Sequence, residues 1–145
     1  MTDATSEYLA GCHCGALTAR FRTALATSAW QVRGCQCSFC RAHAGLTISD
    51  PSGSLEFAAV HPEQVQRYRF GRRVTDFLLC RTCGIYVGAC VAGPNGRFGV
   101  LNAHALRPIP ANLPQPVPMD YAAETLLEKQ QRREARWTPL TASSL

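Results

Sequence analysis

The chain has 145 residues, 46% of them hydrophobic and 17% charged, with a mean hydropathy of -0.09. That composition excludes a disordered chain, and the length points to one domain able to bury its own core. The net charge of +5 comes from 14 arginines and one lysine, Lys129, against 10 acids, and is too modest to make nucleic acid the expected partner.

No apolar run approaches the ~18 residues that a membrane helix requires, so no membrane partner is expected. The N-terminal stretch Met1 to Glu7 lacks a positive patch followed by an apolar run, and no secretory leader is read there. The expectation is therefore a cytoplasmic, reducing setting, in which cysteines serve metals or catalysis rather than disulfides.

Most of the chain reads as short strands between turns, a mainly β fold. Leu17, Ala19 and Phe21 alternate with Thr18, Arg20 and Arg22, the period of a half-buried strand. Pro51 to Ser54 marks a turn before a short Leu55 to Phe57 segment. His61 to Val65 predicts a short helix with Pro62 at its first position. Val65 to Phe70 and Val74 to Leu79 predict a hairpin around Gly71-Arg72-Arg73. Ile85 to Val91 and Phe98 to Leu101 predict a second one around Gly93-Pro94-Asn95-Gly96. Pro108, Pro110, Pro114, Pro116 and Pro118 exclude regular helix or central strand and predict an extended surface arm. Tyr121 to Arg136 predicts a short C-terminal helix or partly mobile tail. Residues 1–107 are thus expected to form the main domain, with 108–145 an arm and tail packing on it or extending from it.

Seven of the eight cysteines fall into three tight groups: Cys12-His13-Cys14-Gly15, Cys35-Gln36-Cys37-Ser38-Phe39-Cys40 and Cys80-Arg81-Thr82-Cys83-Gly84. Thiols one or two residues apart in a turn converge on one point, as a tetrahedral zinc with ~2.3 Å bonds to sulfur demands. Gly15 and Gly84 each follow a cysteine pair and let the backbone fold back over the sulfurs. Cys12, Cys14, Cys80 and Cys83 then give four ligands and a closed, structural site. Cys35, Cys37 and Cys40 supply three, which leaves an open position of the catalytic kind. His43 or Cys90 could close that position instead, or the trio could hold no stable metal. Thiol–disulfide exchange fits less well, because it uses one reactive pair rather than three groups. Cys90 in its apolar strand reads as a buried thiol. His13, His61 and His104 read as loop or surface residues.

These motifs resemble the glutathione-dependent formaldehyde-activating enzyme family, whose domain is shared with centromere protein V. The resemblance runs from about Tyr8 to Leu106 and is carried by Gly11 to Ala16, Cys35 to Arg41 and Cys80 to Gly84. It implies a mainly β fold of the β-tent type built around zinc. It implies a structural zinc on Cys12, Cys14, Cys80 and Cys83 and a reactive zinc on Cys35, Cys37 and Cys40, two per chain. The implied activity is that of a carbon–sulfur lyase, the reversible joining of glutathione to formaldehyde as S-hydroxymethylglutathione. Where family members often carry a basic residue after the arginine of the middle motif, this chain has Ala42 and His43.

The expected chemistry follows from the trio. A thiol entering the open position would lose its proton, and the thiolate attacks an aldehyde carbon. Arg41, beside the trio in sequence, is the first candidate to bind a substrate carboxylate. The expected partners are a glutathione-like thiol and an aldehyde. The alternative is a non-catalytic, zinc-stabilised binding module for a protein or nucleic acid, using the arginine-rich stretches Arg67 to Arg73 and Lys129 to Arg136. A third is a thiol-stress sensor whose trio gains and loses metal. The sequence leaves a homo-oligomer open.

Overall fold

The computed structural model describes residues 4–145; Met1, Thr2 and Asp3, where the N-terminal reading begins, lie outside the described residues. The strands are β1 (Ser6–Gly11), β2 (Leu17–Thr23) and β3 (Arg33–Cys35), followed by helix α1 (Ser38–Ala42). Next come β4 (Thr47–Ile48), β5 (Ser54–Ala59), β6 (Val65–Tyr68), β7 (Asp76–Cys80), β8 (Tyr86–Gly93) and β9 (Gly96–Asn102). The C-terminal part adds β10 (Val117–Met119), helix α2 (Leu126–Arg136) and β11 (Thr138–Pro139). The chain is mainly β with a C-terminal helix, as its short strands and turn signals lead one to expect. No helix among the described residues is long and apolar enough to cross a membrane.

Two sheets share the core. The smaller has the order β1-β2-β5, and the larger β10-β3-β4-β9-β8-β7-β6, with β11 also paired to β9. All pairings are antiparallel except β10 on β3. β2 buries Leu17, Ala19 and Phe21 and exposes the residues between them, so the alternation in its sequence becomes one core face. Leu17 and Phe21 join Leu55 and Phe57 of β5 and meet Leu78, Val87 and Leu101 of the larger sheet. Tyr8 and Phe21 close around Trp30, with ring centroids 4.8 and 5.5 Å from it.

Gly88 on β8 is a point of close approach between the sheets. A Cβ there would lie 2.6 Å from the Phe57 ring and 2.5 Å from the Val100 carbonyl oxygen. Gly88→Ala is expected to destabilise the fold by about 3 kcal/mol, since a backbone oxygen cannot step aside as a side chain can. A thermal melt checks this, and a change under about 0.5 kcal/mol would show that the contact is soft.

Several boundaries differ from the sequence reading. His61 to Val65 forms a single 3₁₀ turn, Pro62–Gln64, because Val65 starts a strand at once. The first hairpin is wider at its tip than the alternation suggests: β6 ends at Tyr68 and β7 begins at Asp76. Gly71 and Arg73 take positive φ between them. The C-terminal helix starts at Leu126, five residues after Tyr121, where Thr125 and Glu128 form a reciprocal capping box.

The proline-rich arm ends in β10, whose Pro118 is tolerated because β10 is an edge strand. The tail is anchored rather than loose. Thr138 is fully buried and its Oγ1 accepts a hydrogen bond from the Asp50 amide at 2.8 Å. Arg97 donates to the Thr141, Ser144 and Leu145 carbonyls. Leu140 and Leu145 pack on the main core, so the segment 108–145 belongs to the same packed unit as residues 4–107.

Candidate metal centres and the adjoining cavity

The first centre joins the two sheets. Cys12 and Cys14 lie in the turn between β1 and β2; Cys80 ends β7 and Cys83 follows in the turn to β8. The four sulfurs all lie within 4.8 Å of one another. The Cys12–Cys14 and Cys14–Cys80 sulfur pairs stand 3.7 and 3.6 Å apart. A tetrahedron with ~2.3 Å arms has edges of about 3.8 Å, so this donor set fits a tetrahedral thiolate-bound ion such as zinc.

The backbone prepares the sulfurs for negative charge. Gly15 and Gly84 adopt φ of 84° and 81°, the left-handed geometry that turns amides toward the thiols. The Leu17 amide donates to Cys12 Sγ, and the Thr82 and Cys83 amides donate to Cys80 Sγ, at 3.3 to 3.4 Å. Burial opposes ionisation of Cys83, yet the Cys14 and Ile85 amides bring its pKa down to about 6. Arg107 donates to the Gly11 and Cys12 carbonyls and ties the loop to the strand region after β9.

The second centre is the trio Cys35, Cys37 and Cys40, whose sulfurs also lie within 4.8 Å of one another. β3 delivers Cys35 at its end. Cys37 caps α1, its sulfur accepting from the Cys40 amide at 3.4 Å, and Cys40 sits within the helix. The Cys35 thiol first, then the Cys40 thiol, hold Cys37 far below the usual thiol range, while Cys35 and Cys37 raise Cys40. The trio therefore favours a thiolate at Cys37, stabilised by the other two sulfurs.

Neither residue that could have closed the trio does so. His43 stacks on Phe39 with ring centroids 4.2 Å apart and turns Nδ1 to the Phe39 carbonyl at 3.0 Å. Cys90 is buried on β8 with its sulfur 3.9 Å from an Arg67 nitrogen. Among the described residues no fourth His, Cys, Asp or Glu joins the three.

What faces the trio is a cavity of about 240 Å³. Its apolar wall includes Phe70, Phe77 and Tyr86, which pack around Phe39 of α1 at centroid distances of 4.4 to 5.7 Å. Burial, reinforced by the facing cysteines, raises the Tyr86 pKa well above that of an ordinary phenol, so its hydroxyl stays protonated. Other parts of the wall come from the turn between β6 and β7 and from α2.

Arg41 is not in that wall. It sits exposed in the last turn of α1. The geometry gives no support to the expectation that it receives a substrate carboxylate. Phe39 and Cys40 take the buried face of the helix, which leaves Arg41 on the other side. The arginines that do reach the cavity come from elsewhere. Arg33 arrives from β3, Arg72 and Arg73 from the β6–β7 turn, and Arg132 and Arg133 from α2. Sequence reasoning placed the last four of these in two arginine-rich stretches, Arg67 to Arg73 and Lys129 to Arg136. Only tertiary packing brings them together around the cavity.

No protein-family model matches this chain, and no curated protein does. Among solved structures, a Rhodobacter sphaeroides protein determined as a Northeast Structural Genomics target is similar. The two chains share 29% identity, with a TM-score of 0.55, over 76% of this chain and 97% of the other.

Proposed function

We propose that this chain is a carbon–sulfur lyase of the glutathione-dependent formaldehyde-activating family, acting on a small thiol–aldehyde adduct at Cys35, Cys37 and Cys40. The observation that carries this reading is a three-thiol donor set that no fourth His, Cys, Asp or Glu joins among the described residues, opening onto a cavity. Cys12, Cys14, Cys80 and Cys83 would hold one zinc for the fold, and the trio would hold the second. A zinc held by Cys35, Cys37 and Cys40 would supply Lewis acidity that lowers the pKa of a thiol in the open position.

The remaining work falls to the chain's own residues. Phe70, Phe77 and Tyr86 restrict water around the sulfur end of the substrate. The Tyr86 hydroxyl, kept protonated, offers the cavity a neutral hydrogen-bond donor rather than a charge. The reaction balances simply: a C–S bond forms between thiol sulfur and aldehyde carbon, the C=O π bond opens, and the thiol proton ends on oxygen. Glutathione and formaldehyde are the proposed pair.

The rate at which glutathione, formaldehyde and S-hydroxymethylglutathione interconvert, followed by NMR exchange, tests this reading. A rate above the spontaneous one, rising in proportion to protein, is expected. Interconversion at the spontaneous rate would reject the reaction.

A further inference from the structure

Six cationic side chains line the three-cysteine cavity, Arg33, Arg72, Arg73, Lys129, Arg132 and Arg133, against one acid, Asp120. Their partners differ. Arg132 is matched by Glu124, with contacts of 2.7 and 3.0 Å. Arg33 donates to the Ser49 hydroxyl at 2.7 Å and Arg72 to the Glu124 carbonyl at 3.2 Å, both neutral acceptors. The Asp120 carboxylate is engaged by the Ala122 amide at 2.9 Å.

Arg133 stands apart. It forms no ion pair among the described residues, and its guanidinium lies over the Trp137 ring at 4.8 Å from the centroid. Its Nε is buried with no hydrogen-bond partner. Burial first, and the neighbouring Arg132 charge second, push its pKa down to about 10. An orphaned N–H on a desolvated cation is costly, and among the described residues no acceptor meets it; the Trp137 ring and the more distant Glu124 charge offset only part of that cost. Its planar fork suits a carboxylate. Lys129, one turn earlier on α2, borders the same cavity.

We propose that Arg133, supported by Lys129, receives a carboxylate at the far end of the thiol that enters the three-cysteine cavity, and so selects acidic thiols over neutral ones. The proposal rests on the thiol-binding part of the reading above, and its test measures binding, without turnover. It makes α2, which lies outside the stretch carrying the family motifs, the specificity element of the site. Two basic segments some 60 residues apart in sequence would then serve one cleft, whose excess of cations also draws in anions.

The test is calorimetric titration of the zinc-loaded full chain with 3-mercaptopropionate and with 2-mercaptoethanol, thiols of similar size that differ in charge. The wild-type chain is expected to bind the acidic thiol at least about tenfold tighter. Arg133→Gln should shrink that ratio below about threefold, and Arg41→Ala should leave it unchanged. Zinc content should be the same in all three. Independently of any variant, added salt should weaken only the acidic thiol's binding to the wild-type chain. Equal wild-type affinities, a ratio that survives Arg133→Gln, or zinc loss in Arg133→Gln would overturn the proposal. The last of these would make Arg133 a counter-charge for the cysteines. If the ratio behaves as expected while the NMR assay shows no acceleration, the reaction falls and the receptor stands.

Discussion

Cys80→Ser is expected to lower the melting temperature by roughly 15 °C or more, or to prevent folding altogether. Cys80 is buried at the end of β7 and its sulfur accepts two backbone amides while facing Cys14 in the β1–β2 turn. Structural zinc sites of this kind contribute ~10–16 kcal/mol of binding free energy that is also folding free energy. Losing one of four ligands forfeits a large part of it, and at about 3–4 °C per kcal/mol for a chain of this size the shift is large. Cys90→Ser provides the comparison. Cys90 is also buried, but it belongs to neither cluster, so its replacement should cost only about 1–2 kcal/mol. Differential scanning calorimetry on both variants reads the contrast. Equal, small shifts would mean that the four-cysteine cluster does not hold the sheets together.

Cys37→Ser should do the opposite: leave the fold and remove the chemistry. Serine is a good N-cap, so its oxygen can accept the Cys40 amide that the sulfur accepts now, and α1 should keep its start. The melting temperature should stay within about 4 °C of the parent. Zinc should fall by one equivalent, because a neutral hydroxyl does not replace a thiolate in the trio. Interconversion of the glutathione adduct should drop by about 100-fold or more, toward the spontaneous rate. Full turnover in this variant, with the second zinc absent, would separate the activity from the trio.

The two variants differ because the two clusters occupy different mechanical positions. One bridges the β1–β2 turn and the β7–β8 turn, elements of separate sheets, so its loss is expected to loosen one sheet from the other. The other lies within one local segment, from the end of β3 to α1, and needs only that segment to stay formed.

That difference also explains what could be read from the sequence. The cysteine groups were legible because ligand spacing is a local property, and the glycines after Cys14 and Cys83 mark the turns that present the sulfurs. β2 was legible because its two faces meet different surroundings. Arg41 was misleading because sequence adjacency to Cys40 says nothing about which side of α1 it takes; at ~100° per residue the next side chain turns away. The composition from Tyr121 onward drew the helix boundary too early; the signal that marks the true start, the Thr-x-x-Glu pattern from Thr125 to Glu128, went unused. Arg133 could not be found from its own segment. Its chemistry depends on α2 being laid against a cavity whose other walls come from β3 and the β6–β7 turn, an arrangement that only tertiary packing creates.

The central claim is that two cysteine clusters hold two metal ions with separate duties, one for the fold and one for the chemistry. Graded chelation of the wild-type chain tests it most directly, with zinc per chain and far-ultraviolet circular dichroism followed together. The account predicts two zincs at the outset, one for each cluster. The first should leave with the β signal unchanged, and the second should leave only as that signal collapses. A single zinc at the outset, or two that depart together with the fold, would contradict it.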